Sequence, residues 1–344
     1  GGHMNTKPNI LYILTDQQSA DAMSCAGNDY LHTPAIDSLA GTGIRFQKAY
    51  CTFPLCGPSR ASMFGGGMPE EVGVTGNGMK MKEEWRVQGL GHLLGKAGYE
   101  CVYGGKWHVS EIQIPEGHGF RKVCGFNDQE LADKCIEFLK EAHKQPFFMV
   151  ASFDNPHNIC EWAREQPLPW GSVPDADIKH CPDLPANYAI PPYEPQLIRI
   201  RMSQDPSSYS TPGSVDDDWW RHYRYAYYRL VEKVDQQIGR ILDALKSMEL
   251  TDNTLIIFSS DHGEGAGAHQ WKQKSFLYEE AIRVPFIVSY KGLANPGSIN
   301  NIHLISNGLD LIPTLCDYAG VEVPENIHGK SIRPLVEGEN TDKW

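Results

Sequence analysis

Short, wholly apolar runs alternate along this chain with helix-length segments that are apolar on one side only. Asn9–Thr15 (NILYILT) ends at Asp16 and predicts a strand buried on both faces. Tyr99–Tyr103, Phe147–Phe153 behind Pro146, Leu255–Ser260 (LIIFSS) and Val284–Tyr290 read the same way. Helices are expected between them. Pro34–Ala40 has Thr33 as its cap and Pro34 in its first turn, and Gln88–Ala97 is stopped by Gly98. Asp128–His143 places Leu131, Cys135, Phe138 and Leu139 on one side, Asp216–Met248 opens with acidic residues, and Gly308–Ala319 closes at Gly320. This alternation predicts an α/β fold with a largely parallel central sheet sandwiched by helices. Such sheets bind ligands beyond the carboxyl ends of their strands. Pro156–Pro212, rich in Pro and Trp and without clear periodicity, reads as an ordered excursion that walls a cleft.

A length of 344 residues suits one large α/β domain or two smaller ones. The net charge of −12 argues against a nucleic-acid partner, which calls for a basic face. It leaves room for a small anionic substrate, because a few local cations and a metal can dominate one cleft. No apolar run approaches the ~20 residues of a membrane span. None of the nine cysteines forms a CxxC pair, which disfavours structural zinc; free buried thiols and disulfides both remain open. Gly1-Gly2-His3-Met4 reads as an expression-tag remnant, so the lack of a visible leader does not bear on compartment.

Candidate chemistry begins at strand ends. The first strand runs into Asp16, and LIIFSS runs into Asp261-His262-Gly263. Carboxylates at neighbouring strand ends can converge on a hard cation, although an Asp after a strand more often caps a turn. Cys56-Gly57-Pro58-Ser59-Arg60 adds a cysteine just before a Pro suited to a helix's first turn. A helix start favours anions, so Cys56 reads as a thiolate nucleophile or as an inert cap.

Here the chain resembles the sulfatase family of the alkaline-phosphatase-like superfamily. Cys56 to Arg60 matches its Cys-x-Pro-Ser-Arg signature, and its other segments follow in order. These are Thr15-Asp16-Gln17, Gly105-Lys106-Trp107-His108, Asn155-Pro156-His157, Ser260-Asp261-His262-Gly263-Glu264, Trp271 to Pro285 with Lys274, and Asp310 to Leu315. Many sulfatases have Asp-Asp-Gln where this chain has Asp16-Gln17-Gln18. The resemblance implies an alkaline-phosphatase-like sulfatase fold, with residues 5–344 as the catalytic domain and the usual small C-terminal subdomain absent or truncated. It implies that a maturation enzyme oxidises Cys56 to formylglycine, whose hydrate attacks sulfur with one hydroxyl and expels sulfate with the other. It implies one divalent cation, calcium by family precedent, held by Asp16, Asp261, His262 and the residue-56 oxygen, with Gln17 as a further ligand. Arg60, Lys106 and His108 would stabilise the nucleophile, and Lys106 and Lys274 would grip sulfate. His157 would be the general acid, a task Lys274 could share, and His269 would line the sulfate pocket. Without the resemblance, such lysines would read as surface residues and such histidines as structural ones. A periplasmic, secreted or lysosomal setting is also implied.

The expected substrate is a sulfated saccharide, such as a glycosaminoglycan fragment, with Trp162, Trp170, Trp219 and Trp220 available for stacking or packing. Choline sulfate and small aryl sulfates are the other leaving groups. Two further readings compete: a phosphate or phosphonate monoester hydrolase of the same superfamily, and a non-catalytic glycan-binding protein on this scaffold.

Overall fold

The computed structural model describes residues 7–109, 114–204, 215–339, 342 and 344. The expected tag remnant and residues 205–212 of the expected excursion lie outside them. Among the described residues the strands are β1 Asn9–Asp16, β2 Gly43–Phe46, β3 Ala49–Tyr50, β4 Glu100–Gly105, β5 Arg121–Cys124, β6 Phe147–Pro156, β7 Thr254–Ser260, β8 Phe286–Ser289, β9 Ser298–Asn300 and β10 Ile305–Ser306. Eight form one sheet in the order β5-β4-β6-β1-β7-β8-β2-β9, while β3 pairs with β10. Every strand of the large sheet runs the same way except β8, which is antiparallel to both neighbours.

All eight residues of β1 are buried, because helices cover both faces. Ile10, Tyr12 and Leu14 enter a cluster with residues of helices Cys56–Gly65, Leu90–Lys96 and Leu311–Ala319. Leu11 and Ile13 enter the opposite cluster, with helices Pro34–Thr42, Asp128–Leu139 and Asp217–Ser247. The two-residue period of a strand thus feeds two layers. Truncating one such side chain, as in Leu14→Ala, should cost about 2–5 kcal/mol.

The structure departs from the sequence reading in informative places. Val284–Tyr290 contracts to β8 and runs antiparallel; it is still wholly buried and mostly apolar, because burial on both faces, not direction, sets that pattern. The helix from Asp128 ends at Leu139, before the approach to Pro146. Thr33 makes no capping bond to its helix; its hydroxyl accepts from Ser24 N (2.9 Å) and donates to Asp37 (3.1 Å). The free amides of Ala35 and Ile36 donate instead to Asp235 on the long helix, at 3.1 and 2.8 Å. The excursion is not wholly irregular and carries helices Ile159–Ala163 and Gln196–Gln204. Trp220, Tyr223 and Tyr227 pack with Ile159 and Cys160 beneath it. All nine cysteines are free. No described helix is long and apolar enough to cross a membrane.

Candidate active site

The carboxyl ends of β1, β4, β6 and β7 bring the chemistry together. Asp16 is the last residue of β1, Lys106 follows β4, His157 follows β6, and Asp261 and His262 follow β7. Two glycines make the approach possible. A methyl group at Gly105 (φ 93°) would collide with the Ser152 carbonyl, and one at Gly263 with the Glu280 carbonyl. Cys56 opens the ten-residue helix Cys56–Gly65, after the extended residue Leu55, with its side chain 1% exposed.

Four donor atoms, one each from Asp16, Cys56, Asp261 and His262, lie within 4.8 Å of one another. Cys56 Sγ is 3.5 Å from Asp16 Oδ2 and 3.2 Å from both His262 Nε2 and Lys274 Nζ. The His262 Nδ1 faces the Gly263 carbonyl at 2.9 Å, which fixes the proton there and leaves the Nε2 lone pair for the cluster. Asp261 is held on both oxygens: Oδ1 accepts from the amides of Gln17 (3.1 Å) and His262 (2.8 Å), and Oδ2 from Arg60 Nε (3.0 Å). This donor set, two carboxylates and an oriented imidazole, fits a divalent cation.

Three cations face the two carboxylates. Arg60 also reaches Asp16 (3.4 Å), and its Nη1 donates to the Lys106 carbonyl and Ser152 Oγ, both at 3.0 Å. Lys106 Nζ bridges Asp16 Oδ2 (2.6 Å) and Asp154 Oδ1 (3.1 Å). Lys274 Nζ bridges Cys56 Sγ and Gln17 Oε1 (3.0 Å). Burial would raise the Asp16 carboxyl, but Lys106, His157, Lys274 and Arg60 hold it well below the usual range. Burial works against both ammonium groups, yet each is kept above the ordinary lysine value, Lys106 chiefly by Asp16 and Lys274 by Cys56 and Asp16. Burial and Asp16 push the Cys56 thiol up, and Lys274 and Lys106 outweigh them, bringing it down to about 6. Burial, Lys106 and Lys274 hold the His157 imidazole well below the usual histidine range.

The other expected residues fall in different places. His108 (φ 44°) lies two residues past Lys106, with Nδ1 buried and without a hydrogen-bond partner among the described residues. Gln17 (φ 71°) gives its carbonyl oxygen to Lys274, while its amide nitrogen donates to Glu264 (3.1 Å) and approaches Cys160 Sγ (3.4 Å). His269 is turned toward the excursion: its ring lies 4.3 Å from that of Tyr278 and its Nδ1 is 3.4 Å from the Ala189 carbonyl. Sequence reasoning gave no role to Asp154 or Glu264. Asp154 carried the same signal as Asp16, a carboxylate near the end of an apolar strand. Glu264 is wholly buried and accepts from Tyr223 (2.6 Å), Gln17 and the amide of Gln273 (2.8 Å). No local pattern announces that role.

A buried sulfur at a helix start, a cation-ready donor cluster and converging ammonium groups define a hydrolase site for anionic esters. A family model for sulfatases matches residues 8–321. The chain is 30% identical to an N-acetylglucosamine-6-O-sulfatase of Bacteroides thetaiotaomicron over 97% of its own length and 71% of the relative's. A solved 2-O glycosaminoglycan sulfatase superposes with a TM-score of 0.84 at 29% identity, covering 98% of this chain and 76% of the other. A phosphonate monoester hydrolase of Agrobacterium radiobacter shares the fold, with a TM-score of 0.82 at 23% identity over 98% of this chain and 78% of the other. The chain belongs to the sulfatase family. It has that family's alkaline-phosphatase-like fold and is a sulfuric ester hydrolase.

Proposed function

We propose that this sulfatase removes sulfate from a saccharide of the glycosaminoglycan type, using formylglycine made from Cys56 by a maturation enzyme and one bound calcium ion. The observation that carries this reading is the setting of Cys56 Sγ, which touches Asp16, His262 and Lys274 at a helix N-terminus. The glycan relatives support the saccharide. Once converted and hydrated, residue 56 would supply a gem-diol, one hydroxyl serving as the nucleophile that displaces the alcohol from sulfur and the other re-forming the aldehyde carbonyl as the C–O bond to sulfate breaks. Asp16, Asp261 and His262 would hold the cation, with Gln17 adjacent, and the cation would supply Lewis acidity.

The chain's own groups do the rest. Arg60 and Lys106 steady the negative charge that develops around residue 56. Lys106 and Lys274 grip sulfate oxygens in a site where water is scarce, and each such donor is worth roughly 10²–10³ in rate. Burial, Lys106 and Lys274 disfavour a proton on the free imidazole of His157. A sulfate ester bound between the two ammonium groups offsets their charge and lets His157 hold the proton that a sugar alkoxide needs on leaving. The deciding experiment is a desulfation screen of the matured protein across defined sulfated saccharides, with an aryl sulfate and an aryl phosphate alongside. Turnover of one saccharide class, exceeding aryl phosphate, is expected. Faster turnover of the phosphate would favour the phosphohydrolase reading.

A further inference from the structure

Exposure is uneven across the residues around Cys56. Asp16, Arg60, Asp261 and His262 are wholly covered, whereas Lys106 (8%) and Lys274 (7%) keep some surface and His157 is partly exposed. Substrate therefore arrives past the ammonium groups. Beside Lys106 stands Phe126, 55% exposed, in the turn between β5 and the helix Asp128–Leu139. A hydrophobic residue before a helix cap usually packs back onto its own helix. Phe126 instead belongs to none of the hydrophobic clusters among the described residues.

Its ring has two neighbours of note. Lys106 Nζ lies 5.7 Å from the ring centroid, and Trp170 meets the ring edge-on at 5.5 Å. Trp170 comes from the excursion and is tied down, since its Nε1 donates to Asp154 Oδ2 at 2.8 Å. The same oxygen accepts from Asn158 (3.0 Å), and Oδ1 accepts from Lys106 (3.1 Å). One buried carboxylate thus fixes an ammonium group and an indole in a set relation, with an exposed phenyl ring against both.

Resting on the saccharide reading above, we propose that Phe126 and Trp170 form an aromatic platform for the sugar ring that carries the scissile sulfate. The C–H face of a pyranose lies on Phe126 while its sulfate reaches Lys106. The negative charge of Asp154 is offset by its ion pair with Lys106, and Trp170 and Asn158 occupy its other oxygen. Phe126 is thereby a specificity-determining residue, selecting a ring-shaped leaving group over an acyclic one.

The test uses matured full-length protein, Phe126→Ala and Phe126→Tyr, with thermal melts to check folding. Three quantities are read: KM against kcat on the best sulfated saccharide, inhibition by its desulfated product, and inhibition by inorganic sulfate. F126A should raise KM and the product's inhibition constant up to about tenfold, the range of one aromatic contact. Its kcat should change less than its KM, the sulfate inhibition constant should hold, and F126Y should restore the wild-type values. Equal weakening of sulfate and product would mean that Phe126 acts only through Lys106, and would overturn the platform. Unchanged product inhibition in F126A would overturn it too. If no sulfated saccharide is desulfated at all, the substrate reading fails first and the platform with it.

Discussion

Asp16 and Asp235 are both buried carboxylates, 0% and 2% exposed, and the protein keeps them by opposite means. Asp16 sits at a strand end among Arg60, Lys106 and Lys274, which hold it ionised. Asp235 sits mid-helix and accepts from the amides of Ala35 and Ile36; burial outweighs those bonds and pushes its carboxyl up to about 6. Asp128, which accepts from the amides of Asp154 and Asn155 at 2.7 and 2.8 Å, follows the second pattern; burial and Asp154 push it up to about 7. A carboxylate that only terminates a backbone needs an acceptor, not a charge. A carboxylate among cations belongs to a site where charge is the working quantity. The contrast separates architecture from chemistry, and it can be broken by mutation.

The largest effect should come from Cys56→Ala. Loss of the nucleophile's atom should lower sulfatase turnover at least ~10⁴-fold while the far-ultraviolet circular dichroism is retained. Residual activity above that level would move the chemistry to another group. Next come Lys106→Ala and Lys274→Ala, each expected to lower kcat/KM by roughly 10²–10³. A loss under about tenfold in either would mean that the ammonium group only balances Asp16 or Cys56. Third, His157→Ala should cost ~10²–10⁴ on a sugar sulfate and far less on an activated phenyl sulfate, whose leaving group departs without a proton. Equal losses on both would shift the acid role to Lys274.

The smallest effect should be that of Asp235→Asn, read in stability and not in turnover. The folded carboxyl is raised, so its contribution to stability is complete below the unfolded value near 3.8 and is lost as pH rises through about 6. Melting temperatures from pH 4 to 7 should therefore show wild type losing ground to D235N. A constant difference across that range would show that burial does not perturb Asp235.

How much of this was legible in the sequence follows the same division. The meeting of Asp16 with Asp261 was suggested by two apolar strands ending in carboxylates, whereas bringing Cys56 and His262 into the same cluster rested on the resemblance to the sulfatase family. The buried strands β1, β4, β6, β7 and β8 and the helical layers were legible from the apolar pattern, whereas the short strands β2, β5 and β9 were not. The cap on Pro34–Thr42 was not, because Thr33 offers the local signal while Asp235, 200 positions away, makes the bond. The reversal of β8 was equally silent, since both directions bury the same residues. Glu264 and Phe126 escaped for one reason. Each owes its place to partners distant in sequence, Tyr223 and Gln17 for Glu264 and Lys106 for Phe126.

The central claim is that sulfate ester hydrolysis runs through a converted Cys56. Its most direct test is specific activity measured against the fraction of residue 56 found as formylglycine by peptide mass spectrometry. Protein is made with graded amounts of the maturation enzyme and assayed on a sulfated saccharide in calcium. Activity should rise in proportion to the converted fraction and extrapolate to zero when residue 56 is entirely cysteine. Substantial turnover by fully unconverted protein would contradict the account.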